Sequence, residues 1–101
     1  MAKEFTSFSA FYPFYLSEHS NRISRRLHFI GTLGVLVIVF KAVFWRDPVL
    51  LWLVPVVGYG FAWIGHFFFE KNRPATFQYP IYSLMGDFAM FRDILIGRIR
   101  F

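Results

Sequence analysis

The chain has no cysteine among its 101 residues. That excludes disulfides, thiolate metal sites and a cysteine nucleophile. Acidic side chains are scarce, with six Asp and Glu against eleven Lys and Arg, for a formal net charge of +5. No RNA- or DNA-binding signature accompanies that charge, so nucleic acid is not an expected partner. The basic residues instead flank apolar runs, as an anionic membrane surface requires. There is no internal repeat and no low-complexity segment. The N-terminal MAKEFTSFSAFY carries an acid and no small-residue cleavage site behind a long apolar core, so it does not read as a cleaved signal peptide.

Apolar surface is what the chain has in excess. It is 56% hydrophobic and 23% aromatic, with 15 Phe and a mean hydropathy of +0.46. A soluble domain of this size could not hide so much. The expected class is all-α: a small integral membrane helical bundle forming one domain over residues 1–101. Two spans make a hairpin, with interfacial N- and C-terminal helices, about four helices in total. Residues 5–16 place Phe5, Phe8, Tyr12 and Tyr15 at helical spacing, with Pro13 expected to kink or end the helix. The polar SEHSNRISRR follows. A first span is expected over Phe29 to Trp45, where Lys41 snorkels near the far end, and a second over Val49 to Phe69. Tyr79 to Phe101 carries Asp87, Arg92 and Asp93 and reads as a helix along the leaflet. Four full spans would be the alternative. Arg22, Arg25, Arg26, Lys71, Arg73, Arg98 and Arg100 lie on one side of the hairpin, so both termini are expected in the cytoplasm.

There are only three histidines. The hairpin brings His28 at the start of the first span, His66 near the end of the second, and His19 in the polar approach to one leaflet boundary. Taken singly, each reads first as a satisfied hydrogen bond or an interface anchor. Gathered at one depth, they suit a mononuclear metal site, with iron, zinc and copper all compatible with imidazole. Di-iron hydroxylases of membranes use many more histidines. Glu70 stands four residues after His66 and would share its face if the helix continues.

FYPFYLSEHSNRISRRLHFIG (Phe11 to Gly31) and GHFFFEKNRPATF (Gly65 to Phe77) resemble the two signature blocks of the fungal-type 2-hydroxy fatty acid dioxygenase family. The matching positions are Tyr15, His19, Asn21 and His28 in the first block. In the second they are Gly65, His66, Phe69, Glu70, Lys71, Arg73, Pro74 and Ala75. The resemblance implies an Fe(II)-dependent enzyme that uses O2 to shorten a 2-hydroxy fatty acid by one carbon. It carries the metal-ligand role onto His19, His28 and His66. The minimal hairpin suggests a bacterial member, set in the inner membrane. On that reading Arg73 anchors the substrate carboxylate, and Glu70 orients His66, ligates the metal or pairs with Lys71 or Arg73. Tyr15 donates to bound oxygen, Asn21 caps the helix behind it, and Asp87 reaches the Arg-Pro loop. Membrane lipid is the other expected partner, and so thin a unit is compatible with a homodimer. The rival readings are a non-enzymatic bundle that binds lipid or protein, and a hydrolase using zinc-bound water.

Overall fold

The computed structural model describes residues 5–101. Those residues are all-helical, with four α-helices and no strand. Helix α1 (Phe8–Ser17) starts where Ser7 Oγ accepts from the Ala10 amide at 3.2 Å. Pro13 sits inside it, and the helix runs on to Ser17. Its buried edge is Phe11 and Tyr15 rather than the Phe8–Tyr12 stripe. Phe5 packs edge-on against Phe11 from ahead of the helix, at 5.5 Å.

Helix α2 (Arg22–Phe44) begins earlier than hydropathy alone suggests. The reason is local. Asn21 Oδ1 accepts from the Ile23 and Ser24 amides at 2.9 and 3.2 Å, so the polar Arg22–Arg26 stretch is the first turn of the helix. Lys41 Nζ lies 5.5 Å from the Trp45 ring at the far end. The chain reverses at Arg46, whose φ is +52°. It returns through a 3-10 turn (Pro48–Trp52), helix α3 (Leu53–Ile64) and a π-helical segment (Gly65–Glu70). These three form one 23-residue rod, as long as α2. Each rod is about 34 Å at 1.5 Å per residue. Both are long and apolar enough to cross a membrane.

The two rods pack closely through small residues. A Cβ added at Gly31 would come 3.0 Å from Phe61 Cβ, and one at Gly34 2.9 Å from Val57 Cγ1. These approaches fix the antiparallel register. Large apolar side chains cover the outside, including Phe40, Val43, Trp52 and Val56, the kind of surface that marks a membrane or protein contact.

Helix α4 (Pro80–Leu95) packs on both α1 and α2. Phe91 stacks on Phe29 at 4.6 Å, and Met90 is buried with Phe11 and Tyr15. The expected C-terminal helix stops at Leu95 because Gly97, at φ +81°, closes it: the Arg98 amide donates to Asp93 O at 2.8 Å and the Gly97 amide to Ile94 O at 3.2 Å.

Candidate metal centre

His19, His28 and His66 meet in the interior. Their potential ligand nitrogens all lie within 4.8 Å of one another, and all three residues are buried. Each arrives by a different local device. His19 follows the turn that ends α1, where the Glu18 amide bonds back to Phe14 O and Tyr15 O. His28 sits on α2 two turns past its cap. His66 lies in the π segment, whose wider i→i+5 turn suits functional sites.

Each Nδ1 faces an oxygen. His19 Nδ1–H donates to Tyr15 O at 2.7 Å. His66 Nδ1–H donates to Asn72 Oδ1 at 2.6 Å. His28 Nδ1 stands 3.5 Å from Asp87 Oδ1. The acceptors behind His19 and His66 set their tautomers with the Nε2 lone pair forward, the usual arrangement behind a metal-bound imidazole, and a carboxylate stands behind His28. His19 Nε2 and His28 Nε2 are only 3.0 Å apart. Two bare lone pairs at that distance repel unless a cation lies between them. A proton on His28 Nε2 would instead turn a bare Nδ1 toward a carboxylate. Two nitrogens bound to one cation at about 2.1 Å stand about 3.0–3.5 Å apart, so the spacing fits a shared metal. Burial, and then the imidazoles of His28 and His66, push the His19 pKa well below its ordinary value, keeping it in the neutral ligating form. A cavity of about 10 Å³ adjoins the three rings, room for about one water-sized sphere. Three imidazole nitrogens with oxygens behind them, and no cysteine, fit iron, zinc or copper.

Tyr15 is the hub of the surrounding shell. Its ring stacks on His19 at 4.2 Å, and its hydroxyl donates to Asp87 Oδ1 at 2.5 Å. Burial, and then the Asp87 carboxylate, hold that hydroxyl well above its usual pKa, so it stays a donor. Asp87 therefore pairs with Tyr15 and His28, not with the Arg-Pro loop expected from sequence. Asn72 is the residue sequence reasoning missed. Lys71 adopts the left-handed conformation, φ +57° and ψ +42°, and turns the chain back. The Asn72 amide then donates to His66 O at 3.0 Å, and its side chain reaches His66 Nδ1. Asn72 Nδ2 donates to Glu18 O at 3.2 Å, beside His19.

Glu70 does not orient His66. Its carboxylate accepts from the Asn21 amide at 2.9 Å and from Ser20 Oγ at 3.4 Å. It braces the loop between His19 and His28. Arg73 is exposed and has no ion-pair partner among the described residues, although the adjoining Pro74 and Ala75 line the small cavity. Asn21 caps α2 as expected. Ser83 Oγ, also on that lining, is buried with no hydrogen-bond partner among the described residues.

A second, larger cavity of about 240 Å³ opens beside His28 and Asp87 and runs between α2, α3 and α4.

A family model described as 2-hydroxy-palmitic acid dioxygenase Mpo1-like matches residues 5–99. No curated protein and no solved structure matches the chain. With nearly its whole length covered, the chain belongs to the Mpo1-like family.

Proposed function

We propose that this member of the Mpo1-like family is an Fe(II)-dependent membrane dioxygenase that shortens 2-hydroxy fatty acids by one carbon. The observation that carries the reading is the buried trio His19, His28 and His66, with their ligand nitrogens within 4.8 Å of one another and an oxygen behind each Nδ1. These three residues would hold the iron. Bound Fe(II) supplies the redox chemistry by which O2 oxidises the substrate. The balance is R–CH(OH)–COOH + O2 → R–COOH + CO2 + H2O, so the substrate provides all the electrons and no 2-oxoglutarate is consumed.

The chain's own residues bind, orient and exclude water. Tyr15 and Asn72 fix the rings of His19 and His66 through their oxygens. Asp87, held by the Tyr15 hydroxyl, places a carboxylate behind His28 Nδ1. Ser83 offers an unused hydroxyl to a substrate oxygen. Arg73, on the exposed loop, attracts the carboxylate at the polar edge. Glu70 holds the 19–28 loop in register. The 101 residues act as one domain. The two apolar rods insert in the bacterial inner membrane with both termini in the cytoplasm, where the basic residues gather. Membrane lipid is its surroundings, and a homodimer is compatible with so slender a unit.

The test is His66→Ala. The variant should still insert in the membrane, but lose iron retention and fatty-acid shortening together. Activity that persists in it would remove His66 from the ligand set. Zinc in place of iron in anaerobically purified protein would move the reading to a hydrolase.

A further inference from the structure

The larger cavity changes character along its length. Its upper end is polar, with His28 and Asp87 and then Thr32 one turn below. Its lower end is apolar, with Val35, Val54 and Pro55. Helix α2 packs on both α3 and α4, whereas α3 and α4 do not pack against each other to a comparable extent, so the groove between them is open sideways. The antiparallel register set at Gly31–Phe61 and Gly34–Val57 puts Val54 beside the part of α2 roughly ten residues past His28. At 1.5 Å per residue the groove is about 15 Å long. An extended chain advances about 1.2 Å per bond, so about twelve bonds fit.

We propose that this groove, with His28 and Asp87 at its polar mouth and Val54 at its end, is an acyl-chain slot that measures the length of the substrate tail and receives it sideways from the bilayer. The inference rests on the proposed function for the identity of the headgroup. Its geometry does not depend on the metal. The tail arrives from one apolar medium into another, so selectivity comes from fit rather than from water. A chain longer than the slot meets Val54, and a much shorter one leaves the slot part empty.

The experiment is native mass spectrometry of anaerobically purified protein, equilibrated with an equimolar series of saturated 2-hydroxy acids from shorter to longer than the groove. One spectrum reads both the retained acid and the bound metal. The wild type should retain acids whose tail beyond the 2-position is about twelve carbons. Val54→Trp should shift that maximum shorter by about four carbons while shorter acids are still retained and the metal is unchanged. Leu84→Trp fills the groove from its exposed α4 side and serves as the second variant should the first fold poorly. Val56→Trp, on the outer surface of α3 and 67% exposed, should change nothing. Identical length profiles in the wild type and both groove variants would overturn the slot, as would retained metal with no retained acid. Length-selective retention without iron would sustain the slot and bring down the dioxygenase reading instead.

Discussion

Removing the Asn72 side chain should loosen the metal more than removing the Glu70 carboxylate. Among the described residues Asn72 is the only acceptor that His66 Nδ1 meets, at 2.6 Å, and its amide is pinned from the other side by Glu18 O. In Asn72→Ala the ring keeps its place in the chain but loses the group that fixes its tautomer and tilt. Deletion of such a partner costs about 10–100-fold in metal affinity, or about 1.4–2.7 kcal/mol. The upper half of that range applies, because His66 is 2% exposed and water cannot readily replace the lost oxygen. Glu70→Gln should cost less than about threefold, since that side chain contacts the Asn21 amide and Ser20 rather than any imidazole. Asn72→Asp keeps an acceptor and should restore affinity. The assay is anaerobic competition with a chromophoric Fe(II) chelator, run on protein whose helix content matches the wild type. If Asn72→Ala bound within about twofold of wild type while Glu70→Gln lost an order of magnitude, the assignment of partners would be refuted.

Three further outcomes follow from the packing. A Cβ at Gly86 would lie 2.7 Å from Tyr15 Cδ2, and Tyr15 is 1% exposed, so Gly86→Ala should lower thermal stability by about 1–3 kcal/mol and weaken the metal site through the displaced Tyr15–His19 stack. Gly97→Ala forces a side chain into φ +81° and should cost about 1 kcal/mol in chemical denaturation, with the metal site intact. The Tyr12 hydroxyl, at 2.7 Å, and then the Arg92 guanidinium hold the Asp93 carboxyl below its ordinary pKa. A folded value below the unfolded one, about 3.9, means that this contribution is full above the unfolded value and disappears as pH falls through the folded one. Denaturation midpoints should therefore fall more steeply with acid in the wild type than in Asp93→Asn; parallel curves would count against the pairing.

The helical class and both long apolar rods were legible in the sequence because hydropathy over twenty residues is a strong signal. The meeting of His19, His28 and His66 was legible too, since a hairpin of known length dictates which residues share a level. What could not be read was the shell behind them. Asn72 reaches His66 only because Lys71, a residue with no special liking for it, takes a left-handed turn. Glu70 bonds to the Asn21 amide and Ser20 instead of His66, a pairing with a distant part of the chain that nothing in GHFFFE announces. Asp87 was drawn toward the arginines by charge, yet the buried Tyr15 hydroxyl is the nearer partner. The early start of α2 was hidden by its polar first turn, although the Asn21 cap was visible beforehand. Side-chain pairings across helices depend on rotations of a few tens of degrees, which residue spacing alone does not fix.

The order in which the chain supplies its imidazoles has a consequence for biosynthesis. His19 and His28 are translated close together, but His66 follows only after the second apolar helix, and Asp87 later still. A growing chain therefore offers at most a two-nitrogen chelate, with the rear support of His28 missing. The full trio exists only once both rods lie side by side. On the proposed function, metal capture would then close maturation, and a chain interrupted before the π segment would lack the third imidazole.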